Sequence, residues 1–305
     1  MTSPEPLNGW IILDKPLGLG STQGVSAVKR ALRAAGHGKA KVGHGGTLDP
    51  LASGVLPIAI GEATKLAGRM LDSDKVYEFT VRFGEETDTL DLEGTVVAVS
   101  TSLPTMAQAA AVLPRFTGQI DQVPPAYSAL KVDGERAYDL ARKGESFELK
   151  TRAVTVHALH ITGNSQSGVG ELTDLTLTAH VSKGTYIRSL ARDIALALGT
   201  VGHVTMLRRL KAGPFTLDSA ISLDKLDEAA KARTLEHMLL PLRAGLDDIP
   251  ALSLTPDQAG LLRQGRVLVG IAAEDGLHFA QLGTMPVALV EAVDRTVRVV
   301  RGFNL

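Results

Sequence analysis

The chain has 305 residues, of which 44% are hydrophobic and 21% are charged, and its formal net charge is −1. A chain of this size and composition is typical of an ordinary globular protein with room for two domains, and its charge balance excludes a uniformly basic nucleic-acid binder. The absence of cysteine excludes disulfides and thiolate chemistry.

The first part of the chain predicts a strand, a turn and a helix. Residues 10–13 form a continuous apolar run, which is typical of a buried strand, and 14–18 contain turn formers. Ser21 or Thr22 is the predicted cap of a helix that ends at Gly36. Its apolar positions recur at helical spacing: Val25, Val28, Leu32 and Ala35.

The middle of the chain alternates between predicted strands and predicted helices. The predicted strands are 76–83, 95–99 and 175–182, and the predicted helices are 105–113 and 189–198. The run 175–182 alternates strictly between apolar and polar residues, which indicates a half-buried strand. An acidic turn, 85–93, follows the first of these strands. Strands interleaved with isolated helices predict a mixed α/β or α+β catalytic body.

The composition changes around 244–250, which we interpret as a domain boundary. Beyond it, Thr255-Pro256 begins a predicted short helix that ends at Gln264-Gly265, and 287–293 pairs with 296–300 as two strands. We therefore expect a catalytic domain over 8–246 and a small β-rich module over 247–305, too short to stand alone and so packed against the first domain.

The stretch 43–50, Gly-His-Gly-Gly-Thr-Leu-Asp-Pro, places one carboxylate, Asp49, in a glycine-rich turn between apolar residues. Glycines without side chains allow a flat ligand to approach the backbone closely. A carboxylate at such a place can act as a nucleophile or base with little competing water. An alternative interpretation makes Asp49 the N-cap of a helix with Pro50 at its first position. The octapeptide alone leaves both open.

Two other site types fit this stretch poorly. The glycines lack the Lys-Ser or Lys-Thr of a P-loop and the spacing of a dinucleotide-binding turn. His37, His44 and Asp49 could be metal ligands by residue type, but their spacing does not place them on one helical face. We therefore predict no metal here.

Basic residues are concentrated although the net charge is close to zero. From Lys15 to Leu48 there is no acidic residue, and a second basic group, 208–211, follows His203. A positive face on a neutral protein predicts local phosphate binding. An ordinary solvated helix face explains Lys29, Arg30 and Arg33 equally well.

The N-terminal residues 1–8 lack the basic and apolar regions of a signal peptide, and no apolar run reaches membrane-spanning length. Together with the lack of cysteine, this predicts a cytoplasmic protein without membrane contact.

With these pieces placed, the chain resembles the bacterial tRNA pseudouridine-55 synthases. The resemblance rests on motifs that occur in family order between about residue 9 and about residue 215. They are Asp14-Lys15-Pro16-Leu17-Gly18 with Ser21, Gly43 through Leu56, Asp74-Lys75-Val76-Tyr77, Gln122 through Lys131 with Gly134, Tyr138, Ala141 and Arg142, Ser182 through Leu190, and Leu207-Arg208-Arg209. Several long motifs in one order are far more specific than a single glycine pattern.

The resemblance implies a mixed, largely antiparallel sheet flanked by helices, with a substrate-contacting segment inserted at about 100–150. It also implies that the C-terminal module is similar to the PUA-like RNA-binding modules of the family, although its motif identity is weak. The sequence departs from the family at Gly45, where threonine is common. We expect this loss of a hydroxyl near His44 to leave activity intact.

The resemblance also implies the reaction, the isomerisation of uridine to pseudouridine in the T-arm of tRNA. Asp49 is then the attacking carboxylate, and Arg188 is its ionic partner. Arg188 at the start of a helix is itself unusual, because cations disfavour helix N-termini. Tyr77 is the ring that stacks on the uracil and a candidate for removing the C5 proton.

The remaining implied residues contact the substrate. The target base has to be extruded from the RNA stack, and the resemblance places His44 in the space that it leaves. Tyr186 and Leu207 bound the pocket. Lys15 and Pro16 support the loop that carries Asp49, here called the aspartate loop. Lys65, Arg208 and Arg209 contact phosphates. The reaction is redox-neutral and moves no atoms in or out, so no metal or organic cofactor is expected.

The predicted partner is tRNA, with no obligatory protein partner and a monomeric state. Two alternatives remain: a non-catalytic tRNA-binding or tRNA-folding protein, and a guide-RNA-dependent relative of the archaeal or nucleolar kind. The presence of both Asp49 and Arg188 favours an enzyme over the first, and the short C-terminal module favours the stand-alone bacterial type over the second.

Overall fold

The computed structural model describes residues 6–128, 130–132, 134–145, 147–168 and 170–305. Ala129, which belongs to one of the sequence motifs, lies outside the described residues. The strands are β1 (Gly9–Lys15), β2 (Val42–His44), β3 (Ala52–Ile60), β4 (Lys75–Phe83), β5 (Glu85–Thr87), β6 (Val96–Val99), β7 (Gly118–Gln122), β8 (Lys131–Val132), β9 (Glu135–Arg136), β10 (Arg152–Gln166), β11 (Leu172–Val181), β12 (Gly202–Ala212), β13 (Phe215–Thr216), β14 (Ala251–Ser253), β15 (Leu268–Val269), β16 (Gly276–Leu282), β17 (Met285–Val293) and β18 (Thr296–Gly302). The α-helices are α1 (Ser21–Ala34), α2 (Ala67–Asp72), α3 (Met106–Val112), α4 (Ala137–Arg142), α5 (Ile187–Ala197), α6 (Leu223–Ala232) and α7 (Pro256–Arg263).

The larger sheet has the strand order β1-β3-β12-β4-β11-β10-β7, with β2 on β3 and β13 on β12. Its strand pairs are antiparallel except for β12 with β3, which are parallel. The predicted mixed, largely antiparallel sheet flanked by helices is confirmed. The 175–182 strand and the 105–113 helix correspond to β11 and α3.

Strand β1 is buried on both faces, as its continuous apolar run predicts. Ile11 and Leu13 pack in one cluster with residues of α1 and α6. Trp10 and Ile12 point to the other face and pack in a cluster that includes residues of the C-terminal module. The strand continues through Lys15, so the expected turn at 14–18 begins later than the sequence predicted.

Helix α1 begins at Ser21, with Gly20 at the N-cap position. The predicted capping role of Ser21 or Thr22 is therefore wrong. The hydroxyl of Ser21 instead accepts a hydrogen bond from Leu48 N (2.8 Å) and donates one to Leu48 O (3.0 Å). The Ser21 hydroxyl is thus hydrogen-bonded to the aspartate loop and does not cap the helix.

The C-terminal module is a five-stranded sheet in the order β14-β16-β17-β18-β15, with α7 beside it. Strands β17 and β18 pair around Asp294 and Arg295, both with positive φ, as a two-residue hairpin requires. Phe279, Leu289 and Phe303 of the module pack in the cluster that contains Trp10. The predicted strand pair is confirmed.

Among the described residues, no helix is long and apolar enough to cross a membrane.

Candidate active site

Asp49 lies in the loop between β2 and β3, and strand β3 begins three residues later, at Ala52. No helix starts at Pro50, so the alternative interpretation of Asp49 as a helix N-cap is wrong. The bonds between Ser21 and Leu48 fix the backbone beside it. Its side chain keeps 44% exposure, so a bound substrate can reach the carboxylate.

Lys15, at the end of β1, contacts this loop through its side chain. Its buried Nζ donates to the carbonyl oxygens of Leu19 (2.6 Å), Pro16 (3.1 Å) and Pro50 (3.4 Å). Burial lowers the pKa of the Lys15 ammonium to about 8, although the negative charge of Asp49 acts in the opposite direction. The bond to Pro50 is the one that links Lys15 to the Asp49 loop, and the other two stay within the turn that follows β1.

Arg209 supports the same loop from the neighbouring strand. Its Nε donates to Val55 O (2.7 Å) and its Nη1 to Thr47 O (3.2 Å), and the residue is 1% exposed. Gly54 permits the close approach of β12, since it has a φ of +102° and any Cβ there would collide with the backbone of Arg209. The guanidinium therefore holds the backbone in place, which contradicts the expectation that Arg209 contacts phosphate.

Arg188, in the first turn of α5, contacts two carboxylates at once. Its Nη2 lies 2.9 Å from Asp49 Oδ2, and its Nη1 lies 3.3 Å from Asp91 Oδ2. The side chains of Arg188 and Asp91 are each 10% exposed, so both are largely shielded from water. The structure thus brings together the predicted pair, and it adds an acid that sequence reasoning missed.

The acidic turn after β4 and the loop around Tyr127 hold the guanidinium. Arg188 Nη1 donates to Thr89 O (2.9 Å) and Nη2 to Tyr127 O (3.0 Å). Asp91 is oriented in turn by the Thr89 hydroxyl (2.5 Å) and the Glu93 N–H (3.0 Å). The concentration of acids at 85–93 was the available signal, but nothing in it singled out Asp91.

A cavity of about 770 Å³ opens beside Asp49 and Arg188. Its walls contain all four tyrosines of the chain and the side chain of Leu207. The tyrosines are Tyr77, Tyr127, Tyr138 and Tyr186. Tyr77 lies in the middle of β4, opposite Ala179 of β11 and Arg209 of β12. Aromatic walls next to a carboxylate suit a flat, polar ligand such as a nucleobase.

Tyr186 is held at its backbone by Gln122, which is 2% exposed. The Gln122 side chain accepts from Tyr186 N (2.8 Å) and donates to Tyr186 O (3.1 Å). Burial raises the pKa of the Tyr186 hydroxyl, and the negative charge of Asp49 adds to this effect. The phenol is therefore neutral at physiological pH.

Two arginines to which the sequence analysis assigned no role also line the cavity. The Arg136 and Arg142 guanidinium carbons lie 5.8 and 5.5 Å from the centre of the Tyr138 ring. This distance is within the range of a cation–π interaction. All three residues belong to the segment predicted as an insertion at about 100–150, which here forms one cavity wall.

His44 lies on β2, opposite Ile58, beside rather than within the walls of the cavity. Its Nδ1 is buried and has no hydrogen-bond partner among the described residues. Burial and the charge of Arg209 lower the pKa of the imidazole. It is therefore neutral at physiological pH.

Lys65 and Arg208 are paired with protein groups. Lys65 Nζ lies 2.6 Å from Glu62 Oε2 and donates to Gly302 O (2.8 Å), so it connects the catalytic body to β18. The phosphate contact expected of Lys65 stays a prediction. Arg208 pairs with Asp14 (2.8 Å), but its side chain stays 32% exposed.

Two family models match this chain. One describes the TruB family pseudouridylate synthase N-terminal domain and matches residues 29–187, and the other describes the tRNA pseudouridylate synthase B C-terminal domain and matches 188–247. Proteins named tRNA pseudouridine synthase B are similar along almost their whole length. The one from Novosphingobium aromaticivorans is 68% identical over 98% of both chains, and that from Zymomonas mobilis is 59% identical over 99% of both.

Solved structures share the fold at lower identity. An H/ACA ribonucleoprotein bound to a substrate RNA that contains 2′-deoxyuridine has a chain with a TM-score of 0.73 and 23% identity, over 97% of this chain and 85% of that one. A Cbf5-Nop10-Gar1 complex has one with a TM-score of 0.71 and 25% identity, over 97% and 84%. The two family models and the relatives that match along the whole sequence establish that this chain belongs to the TruB family of tRNA pseudouridine synthases, isomerases that convert uridine to pseudouridine in tRNA.

Proposed function

We propose that this chain isomerises the uridine at position 55, in the T-arm of tRNA, with Asp49 as the essential carboxylate. One observation carries the residue assignment. The Asp49–Arg188 ion pair, with its 2.9 Å separation, opens onto a cavity whose walls contain every tyrosine of the chain.

The reaction breaks the N1–C1′ glycosidic bond, turns the base, and joins C5 to C1′. C5 loses its proton and N1 gains one, so the product has the composition of the substrate. A carboxylate that attacks the ribose or the pyrimidine, or that assists elimination, can carry this chemistry without electron transfer. We therefore assign the reaction no metal and no organic cofactor.

Arg188 orients the Asp49 carboxylate at the cavity through the 2.9 Å ion pair. Because Arg188 also contacts Asp91, the three side chains carry one net negative charge. Asp91 is the more buried of the two carboxylates, with 10% side-chain exposure against 44% for Asp49. Asp49 is thus the one available to react, and Asp91 is a positioning residue that acts through Arg188.

The aromatic walls hold the base. Tyr77 stacks on the extruded uracil and is the candidate for taking the C5 proton, while Tyr186 and Leu207 bound the pocket. Extrusion is required because a stacked base would not reach Asp49. His44, neutral on its strand next to the loop, is the group that fills the vacated space in the RNA.

The phosphate contacts come from the exposed arginines. Arg208 keeps an exposed third of its side chain, and Arg136 and Arg142 line the cavity. Guanidinium groups suit phosphate because they donate in a fixed fork. Lys15 and Pro16 keep the catalytic loop rigid.

We assign residues 8–246 to the catalytic domain, with 100–150 as its inserted substrate-contacting segment, and residues 247–305 to a PUA-like RNA-binding module. The enzyme acts as a cytoplasmic monomer without an obligatory protein partner or guide RNA. The similarity to tRNA pseudouridine synthase B proteins along the whole chain supports the stand-alone type.

The assignment of Asp49 is tested with Asp49→Asn on a T-arm stem-loop that carries tritium at uridine C5. We expect tritium release and pseudouridine formation to be abolished, with RNA affinity largely retained because phosphate contacts dominate binding. Asp224→Asn, an exposed acid on α6, is the control and should behave as wild type. Asp49→Asn activity within about tenfold of wild type would contradict the role of a covalent or base catalyst.

A further inference from the structure

Two histidines and an aspartate converge outside the cavity, at the start of β4. Asp74 directly precedes β4, His157 lies on β10 and His180 on β11. The Nε2 atoms of the two histidines lie 3.2 and 3.7 Å from the same oxygen, Oδ2 of Asp74. Among the described residues this is the only group of three such side chains whose ligand atoms all lie within 4.8 Å of one another.

A β-bulge brings His157 into this group. The register of β10 and β11 passes from Val156 opposite Val181 directly to Ala158 opposite His180, so His157 is the additional residue. Val156 and Val181 are buried in the core. The bulge turns His157 toward the outer face that also carries His180, and the two rings lie 4.7 Å apart.

Strand β4 supplies the carboxylate. Val76 pairs with His180, and Asp74 is two residues before Val76, which puts Asp74 on the same face of the sheet as His180. All three side chains keep between 37% and 49% exposure, so an ion from solution can reach them. Lys183, the nearby exposed cation, pairs with Asp72 at 3.0 Å.

We propose that Asp74, His157 and His180 bind one divalent transition-metal ion of the zinc class. Two imidazole nitrogens and one carboxylate oxygen form a ligand set that suits such ions and disfavours Mg²⁺ and Ca²⁺, which require mainly oxygen ligands. The exposure of the three side chains leaves the remaining coordination positions open to water.

The site is separate from the isomerisation chemistry. None of the three ligands lines the cavity, although Lys75 and Val181, their immediate neighbours, do. A bound ion would link the beginning of β4 to β10 and β11, three residues before Tyr77. Its effect is to fix this corner of the sheet.

The test uses the full chain, treated with EDTA and dialysed, with Zn²⁺ as the probe. We expect one Zn²⁺ bound per chain in equilibrium dialysis, a rise in the unfolding temperature with Zn²⁺, and no comparable rise with Mg²⁺. His157→Gln, His180→Gln and Asp74→Asn should each weaken Zn²⁺ binding by at least about tenfold, the lower limit of what losing even an outer partner of a metal site costs.

His160→Gln is the matched control, since His160 is an exposed histidine on the same strand. It should bind Zn²⁺ as wild type does. The unfolding temperatures of the metal-free variants verify that each one is folded. No bound Zn²⁺, or a loss of affinity in His160→Gln equal to that in His157→Gln, would overturn the proposal.

Discussion

At the scale of single residues, exposure and hydrogen bonding distinguish the two carboxylates that contact Arg188. Asp91 is buried and accepts hydrogen bonds from two donors, whereas the side chain of Asp49 lines the cavity and stays 44% exposed. Arg188 is a largely buried cation, and the two carboxylates compensate its positive charge. Asp91 is therefore, with Asp49, one of the two acids that contact the Arg188 guanidinium.

Variants of Tyr77 separate its two proposed roles, stacking on the uracil and removal of the C5 proton. Tyr77→Phe keeps the ring for stacking but removes the hydroxyl. If the hydroxyl takes the C5 proton, turnover should fall by about 10²-fold or more, the scale for losing a positioned acid–base group. Tyr77→Leu should in addition lose about 1–3 kcal/mol of stacking. The measurements are single-turnover rates and RNA affinity. Near-normal turnover by the phenylalanine variant would leave Tyr77 as a stacking surface only.

The buried Lys15 ammonium predicts a characteristic pH dependence of stability. Its pKa is about 8 in the native state, against an ordinary value of 10.5. Between these values the unfolded chain holds a proton that the native state has released, so stability rises with pH in this window. Relative to Lys15→Met, the wild-type free energy of unfolding should therefore rise by about 1–2 kcal/mol from about pH 7.5 to about pH 9.5.

The difference between wild type and Lys15→Met cancels the titration of Lys75, whose pKa burial also lowers to about 8. Urea unfolding at several pH values measures it. A difference that stays constant across the window would mean that native Lys15 keeps its ordinary pKa.

At the scale of elements, the aspartate loop takes its shape from its neighbours. Strand β2 brings Gly45 against helix α2, and a Cβ at Gly45 would lie 2.6 Å from the Met70 Cβ. This close packing is a physical reason for the glycine at a position where the family commonly has threonine. Lys15, Ser21 and Arg209 then hold the following residues by hydrogen bonds to their backbone.

Gly45→Ala should therefore lower the free energy of unfolding by about 1–3 kcal/mol, the usual cost of overpacking. The contact is with Met70 Cβ, so rotation of the methionine side chain does not relieve it. Gly43→Ala, two residues earlier in β2, is the matched control, because no atom lies within 4 Å of a Cβ there. Chemical denaturation of both variants measures the effect, and equal stabilities would refute this account of Gly45.

At the scale of the whole molecule, one hydrophobic cluster joins the catalytic body to the C-terminal module. Trp10 of β1, the only tryptophan, is fully buried there and donates from Nε1 to Leu242 O (3.1 Å). Phe303 reaches the same cluster from beyond β18. Polar contacts of Glu62 with Asn304 N (2.7 Å) and of Lys65 with Gly302 O border this packing. The two units are expected to unfold together.

Phe303→Ala should lower the stability of the whole chain by about 3–5 kcal/mol, as truncation of a buried aromatic ring does. Trp10 fluorescence reports on the catalytic body, and far-UV circular dichroism reports on both units. The two signals should shift together to lower denaturant concentration. Val300→Ala, at an exposed position of β18, is the control. A Trp10 transition that stays at its wild-type midpoint would show that the module unfolds independently.

Local patterns in the sequence determined most of the elements and singled out the residues that we propose to react. Strict alternation at 175–182 predicted β11, and helical spacing at 25–35 predicted α1, because side-chain periodicity depends only on the chain nearby. The family motifs singled out Asp49 and Arg188 for the same reason, since each motif is short and continuous.

Only the tertiary structure decided which groups meet. Neighbouring residues on a strand face opposite sides of the sheet. The sequence therefore did not show whether Arg208 or Arg209 is the buried one. Pairing of β12 with β3 and β4 buries Arg209. The contact of Asp91 with Arg188 and the bulge at His157 join elements far apart in the chain. Such contacts arise from packing between elements, which local periodicity does not encode.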